Sequence, residues 1–216
     1  MRIYFDEIDK LVDRIQQNYK NKDKRYLISL AGVPGSGKTT FANLIVEKLE
    51  IVGKSIVLSQ DGYHLYRHEL AKLNDPEEAV RRRGAPFTFN SRKFVEFVKK
   101  LKERSVVKAP SFDHAIKDPI ENDIIIVESI DIVIIEGNYV SLKDEPWSEI
   151  SEFMDDTWFI ITPPDLVRSR IIKRHLDSGI AQTELEAIER ADGNDLINAN
   201  YIISNSKQSN VLIITR

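Results

Sequence analysis

The chain has 216 residues, 42% hydrophobic and 30% charged, enough for one substantial core and too few for a second independent one. Its net charge of −3 supplies no general attraction for nucleic-acid phosphates or anionic membranes, so neither is expected as a partner and any anion must be held by local groups. Cysteine is absent, which excludes disulfides and thiolate metal sites and agrees with a reducing compartment.

In chain order, the segment from Met1 to Lys24 mixes acidic with apolar residues and shows neither a signal core nor an Arg-rich transit pattern, so a cytoplasmic location is expected. Ile8, Leu11, Val12 and Ile15 recur at helical spacing, a polar stretch follows, and the apolar run Tyr26–Leu30 reads as a strand. Residues 1–25 are thus a helix and lead-in, and residues 26–216 the core of a single domain. Phe41, Leu44, Ile45 and Leu49 share one helical face, and Gly53 precedes a short strand, Ser55–Leu58, which completes a βαβ unit. Asn90 or Ser91 caps a helix striped by Phe94, Phe97, Val98 and Leu101.

Val106–Val107 and Ile124–Val127 flank a loop with Pro110, Asp118 and Pro119, which predicts a hairpin-like excursion. Ile132–Ile135 reads as a fully buried strand, and no apolar run approaches the roughly 20 residues that cross a bilayer. Thr157–Ile161 is another strand, stopped by Pro163-Pro164; Leu166 to Leu176 reads as a helix, and Tyr201–Ile203 and Val211–Ile214 as late strands. Strands alternating with helices predict an α/β fold in three layers, with a mainly parallel sheet of five strands, helices on both faces and the small β-hairpin.

Gly32-Val33-Pro34-Gly35-Ser36-Gly37-Lys38-Thr39 completes G-x-x-x-x-G-K-[ST] between a buried strand and an amphipathic helix, the setting that the phosphate-binding P-loop requires. Small glycines let backbone amides approach anionic oxygens, and the helix N-terminus adds a favourable dipole. Lys38 supplies a mobile positive charge, and the Thr39 hydroxyl is suited to Mg²⁺ between the β- and γ-phosphates. A nucleotide does not by itself make a kinase, so switch and mechanical NTPases stay open at this point.

After the second strand comes Ser59-Gln60-Asp61-Gly62-Tyr63-His64, which sets a carboxylate at the sheet edge where open α/β folds bind ligands. Asp61 is the candidate general base for an acceptor hydroxyl; a turn aspartate before Gly62 is the plain alternative. Glu136 ends the buried strand where P-loop enzymes hold Mg²⁺ through an acidic residue, or else it is a solvated strand-end glutamate. Arg170 and Arg174 lie one helical turn apart, with Arg168 on an adjoining face; beside an ordinary solvated surface, these arginines are candidates to close as a lid over the transferring phosphoryl group, Arg174 first among them. Arg81 and Arg82 read as a solvated helix C-terminus. Tyr63, Phe87, Phe89 and Phe112 have the rings to stack on a base or simply to pack, and His64 and His114 are candidates for hydrogen bonds to substrate. No histidine shows metal-ligand spacing.

With these segments in view, the sequence resembles the uridine kinase, phosphoribulokinase and pantothenate kinase family from about Tyr26 to the C-terminus. The resemblance is carried by Ala31–Thr40, Asp61–His64, Arg83–Phe87, Lys108–His114, Ile132–Gly137 and Arg168–His175, in the family's order. Glu136-Gly137-Asn138-Tyr139 and Gly193-Asn194-Asp195-Leu196 look most like members labelled nucleoside-kinase-like or fructose-transport-kinase-like. The resemblance implies a P-loop kinase using ATP and Mg²⁺, with phosphate binding by Gly32 through Thr40, base or substrate contact by Asp61, a metal-side role for Glu136 and lid duty for Arg174. It also implies substrate contacts near Arg83, Phe112 and His114. The chain departs from it in carrying Phe112-Asp113-His114 where pantothenate kinases tend to have Tyr-Ser-His, in lacking the Arg-His-Ser-Arg run of uridine kinases, and in placing Asn90 where relatives often carry aspartate.

The expected function is therefore phosphorylation of a hydroxyl on a small molecule, a nucleoside or sugar. Pantothenate or another metabolite is the alternative acceptor, and a nucleotide-dependent switch or assembly protein the alternative class. Against the switch stands the lack of an Asn-Lys-x-Asp guanine signature after the P-loop. A homodimer is left open.

Overall fold

The computed structural model describes residues 1–113 and 115–215. β1 (Arg2–Tyr4) and α1 (Asp9–Asn18) precede β2 (Tyr26–Gly32), α2 (Lys38–Leu49) and β3 (Ser55–Ser59). A 3₁₀ turn, Gln60–Tyr63, and two short helices, α3 (Arg67–Leu70) and α4 (Pro76–Arg81), lead to α5 (Ser91–Leu101). The antiparallel pair β4 (Val107–Asp113) and β5 (Asp118–Ile126) follows, then β6 (Ile132–Gly137) and β7 (Asp156–Ile161). The chain ends with α6 (Pro164–Asp177), α7 (Glu184–Arg190), a π-turn over Ala191–Asp195, α8 (Leu196–Asn205) and β8 (Val211–Ile214).

The main sheet runs β1-β8-β7-β2-β6-β3, every pair parallel. Strand alternation divides its side chains between two cores. Leu27, Ala31, Val133 and Ile135 face Phe94, Val98 and Leu101 of α5, Val167 and Ile171 of α6, and Ile202 of α8. Ile28, Leu30, Ile132, Ile134, Trp158 and Ile160 face Leu11 and Ile15 of α1 and Phe41, Ile45 and Leu49 of α2. A strand covered on both faces must be apolar at every position, which is why β6 reads Ile-Val-Ile-Ile without a polar residue until Glu136.

Two expectations need correction. The sheet has six strands, not five: β1 is three residues long with only Ile3 buried, too short for alternation to register in sequence, and it forms because Arg2–Tyr4 pairs in register with Leu212–Ile214. Tyr201–Ile203 is not a strand but the middle of α8, where Asn198, Ala199 and Ile202 make the buried face at helical spacing and Ile203 points outward. Packing of that stripe overrides the strand preference of Tyr-Ile-Ile. The hairpin forms as expected, with strands longer than the apolar runs that announced it and a register shift between Ala109 and Ser111, where Pro110 cannot donate. Asn90 caps α5 by accepting from the Lys93 amide (3.1 Å). No described helix is long and apolar enough to cross a membrane.

Register decides what meets at the sheet edge. Glu136 on β6 lies beside Leu30 of β2 and Ser59 of β3, and Gly137 lies beside Ala31, so three strands end level. The opposite end of β2 is tied by Arg25, buried at 1% exposure, whose guanidinium donates to the carbonyls of Leu101 (3.2 Å), Glu103 (2.6 Å), Ser105 (2.6 Å) and Val127 (3.0 Å). These bonds bind the end of α5 and the end of the hairpin to the strand that carries the glycine loop. Arg25→Met should destabilise the fold by about 2–4 kcal/mol, because four carbonyls lose their donor at once. Urea unfolding of both proteins measures this, and an unchanged midpoint would show that water replaces the guanidinium without cost.

Candidate active site

β2 reaches the edge at Gly32 and cannot continue as a strand, because Pro34 offers no amide hydrogen and Gly35 and Gly37 take φ of 75° and 92°. Gly37 is the N-cap of α2 and makes no side-chain cap, so the first amides of the helix keep their donors for an anion. The loop is held from behind: Thr162 Oγ1 donates to Ser36 O (3.0 Å), and Thr215 Oγ1 donates to Thr162 Oγ1 (2.8 Å). Gly32, Val33, Pro34, Ser36 and Lys38 are buried, Gly35 and Gly37 half-buried, and Thr39 and Thr40 exposed.

Lys38 Nζ donates to the carbonyls of Gly32 (2.9 Å) and Val33 (3.0 Å) and to Asn138 Oδ1 (2.8 Å). Burial pulls its pKa down to about 8; Glu136 and Asp61 oppose this, and Arg174 adds to it. A buried ammonium whose hydrogen bonds all go to neutral oxygens can take a further anion, and a phosphate at the open edge would provide one. Thr39 Oγ1 donates to Glu136 Oε1 (3.2 Å), and Ser59 lies beside Glu136 where β3 pairs with β6. Burial raises the pKa of Glu136, Lys38 opposes, and nearby Asp61 raises it further. A desolvated carboxylate beside a threonine hydroxyl is an oxygen-donor set of the kind a hard divalent cation takes, so these residues fit Mg²⁺.

Asp61 lies in the 3₁₀ turn that follows β3 at the same edge, and its amide donates to Ser59 Oγ (3.2 Å). The Asp61 carbonyl lies 2.8 Å from His64 Nδ1 and accepts from the His64 amide (3.1 Å). The His64 ring stands 3.9 Å from Phe89 and 4.9 Å from Phe112, centroid to centroid. Tyr63, expected to face a ligand, instead packs against Phe94 (4.7 Å) and Phe97 (5.3 Å) and is 3% exposed, so its ring anchors the 3₁₀ turn to α5. Gly62 permits the hairpin to close on that turn, since a Cβ there would stand 2.2 Å from the Pro110 carbonyl oxygen.

Arg83, also expected at the substrate, donates to Leu65 O (3.1 Å) and Lys117 O (2.9 Å), lies 3.6 Å from Asp118 and stacks over Phe112 at 5.7 Å. It stitches the end of α4 to the hairpin. His114 lies outside the described residues. Arg82 departs from its expected solvated role: it donates to Asn194 Oδ1 and Asn198 Oδ1, each at 2.9 Å, while Arg81 stays exposed beside Glu78.

On α6 the arginines divide. Arg170 Nη1 reaches Gly35 O at 3.4 Å, Arg168 pairs with Asp192, and Arg174 Nη2 stands 3.5 Å from Asp195. Arg174, the expected lid residue, is thus held beside Asp195, while Arg170 touches the loop. Neither Asn138 nor Ser59 stood out in the sequence as a site residue. Their signals were adjacency, Asn138 two residues after Glu136 and Ser59 two before Asp61, but only the fold shows what each side chain reaches.

Residues 27–190 match the Phosphoribulokinase / Uridine kinase family. The chain is similar to the provisionally named uridine kinase C227.14 of Schizosaccharomyces pombe, 38% identical over 211 residues, which span 95% of this chain and 89% of that protein. It is 44% identical over 150 residues to the ATP-dependent kinase-like protein notR' of Aspergillus versicolor, covering 67% of this chain and 87% of that protein. Among solved structures, a provisionally assigned fructose transport system kinase from Silicibacter sp. TM1040 superposes with a TM-score of 0.88 at 28% identity, covering 95% of this chain and 98% of that one.

Lys38→Met tests the reading of the loop. Its affinity for Mg-ATP should fall on the order of 100-fold, about 3 kcal/mol for lost charge-assisted bonds. Its thermal midpoint should stay within a few degrees of the parent, because burying the cation costs about what its three bonds return. Calorimetric titration and a melting curve read the two quantities, and undiminished affinity would remove Lys38 from phosphate binding.

Proposed function

Because the chain belongs to the phosphoribulokinase / uridine kinase family, we propose that it uses ATP and Mg²⁺ to phosphorylate a hydroxyl group on a small molecule, in the manner of a uridine kinase acting on a nucleoside or sugar. The observation that carries this reading is the meeting of three groups at one sheet edge: Lys38 ends buried with no carboxylate bonded to it, while Asp61 and Glu136 act on its charge from the neighbouring strand ends. A switch protein needs the phosphate cradle but has no use for a second carboxylate on the acceptor side.

In this reading the α2 amides and Lys38 bind the phosphate tail. Thr39 and Glu136 would hold Mg²⁺, which would supply charge neutralisation for the phosphoryl transfer. Asp61 accepts the proton of the acceptor hydroxyl as its oxygen bonds to the γ-phosphorus; the bond from that phosphorus to the bridging oxygen breaks, and ADP leaves. The His64 ring, three residues after Asp61 and in contact with Phe89 and Phe112, suits an acceptor with a flat or weakly polar face. Arg170 and Arg174 approach from α6, where positive charge offsets that of the moving phosphoryl group.

The test is ADP release with Mg-ATP across uridine, cytidine, nicotinamide riboside, pantothenate, fructose and glycerate. One hydroxyl compound should accelerate it, and Asp61→Asn should bind ATP within about twofold of the parent while turnover drops about 100-fold or more. Equal turnover by this variant would remove Asp61 from proton transfer. Steady ADP formation indifferent to every acceptor would favour a nucleotide-dependent assembly or switch role.

A further inference from the structure

Between α7 and α8 the backbone widens into the π-turn Ala191–Asp195, a geometry that recurs at functional sites. Its polar side chains reach back to the arginine-bearing segments. Asp192 takes Arg168 through both oxygens (2.8 and 2.9 Å). Asn194 Oδ1 accepts from Arg82 (2.9 Å), and its Nδ2 donates to Arg83 O (3.1 Å). Asp195 Oδ2 bonds His175 Nε2 at 2.8 Å, and its other oxygen lies 3.5 Å from Arg174 Nη2.

These contacts differ in depth. The Arg168–Asp192 pair is exposed on both sides, the kind of pair that contributes little. Asp195 keeps 13% of its side chain in solvent and His175 only 4%, whereas Arg174 keeps 54%. One carboxylate oxygen is therefore fixed by a buried ring while the other meets a half-exposed guanidinium. Among the described residues no other acidic group bonds Arg174. Arg174 lies one turn along α6 from Arg170, whose guanidinium reaches the Gly35 carbonyl of the glycine loop at 3.4 Å.

We propose that Asp195 is a positioning residue for Arg174: seated by His175, it holds one edge of the guanidinium so that the remaining donors face the γ-phosphoryl group of a bound nucleotide. This rests on the nucleotide reading above and adds to it a group that never touches substrate. A guanidinium presents five donors in a planar fork and can bridge a carboxylate and a phosphoryl oxygen, which a single ammonium cannot do in the same geometry. A carboxylate behind a functional cation fixes its orientation, as carboxylates do behind metal-bound histidines. Because the π-turn also carries Asn194, the same five residues tie α6 to the end of α4 on the acceptor side.

Calorimetric titration with Mg-ADP and with the non-hydrolysable β,γ-imido analogue of ATP tests this without an acceptor. The readout is the preference for triphosphate, the ratio of the two dissociation constants. Asp195→Asn, which keeps an oxygen for His175, should cut that preference about five- to tenfold and leave ADP binding unchanged. Arg174→Met should cut it at least as much, and Asp195→Asn should add nothing in that background. Arg174→Lys, exposed and so tolerated by the fold, should behave like Arg174→Met. Equal weakening of both nucleotides by Asp195→Asn, full additivity in the double variant, or undiminished preference in Arg174→Lys would each overturn the proposal. Parent protein that takes up neither nucleotide would instead sink the nucleotide reading, and this proposal with it.

Discussion

A lysine ammonium buried against three neutral oxygens is the constraint around which the rest of the molecule is arranged. Such a charge is costly to desolvate, and the fold tolerates it because the carbonyls of Gly32 and Val33 and the Asn138 amide oxygen occupy its three donors. Those oxygens come from two strands, so Lys38 can be seated only if β2 and β6 end level. The parallel register provides that alignment, and it draws Glu136 and Ser59 to the same line. An ammonium with no carboxylate bonded to it, beside uncapped amides at the start of α2, is organised for an anionic partner.

The two sides of this site are built differently. The phosphate side rests on long elements: β2, α2 and α6 bury Leu30, Phe41, Val167 and Ile171 completely or nearly so, and Thr162 braces the loop from below. The side around Asp61 is made of a 3₁₀ turn, a two-stranded hairpin and side-chain stitching. Tyr63 pins the turn to α5, Gly62 lets Pro110 approach, and Arg83 fastens the hairpin by two carbonyls.

The π-turn joins α6 to the end of α4. Arg82 and the Arg83 carbonyl reach it from one side, Arg168, Arg174 and His175 from the other, and all meet residues of one five-residue segment. Such hydrogen bonds are directional and weaken over short displacements.

Much of this was legible in the linear chain. Gly32–Thr39 announced a phosphate cradle because only small residues and a following helix bring amides together, and that requirement is local. Buried strands showed as apolar runs, and the order of the motifs pointed to the family that the match over residues 27–190 establishes. What local sequence could not hold was anything decided by contacts distant along the chain. β1 exists because Leu212–Ile214 lies beside it, and Tyr201–Ile203 is helical because Ile202 packs into the core. Tyr63 and Arg83 carry the residue types of a binding site, yet the fold uses one as a core anchor and the other as a strut. Sequence determined which chemistry the chain can offer at the end of each strand; tertiary structure alone decided which side chains meet there, because register and helix packing set those distances.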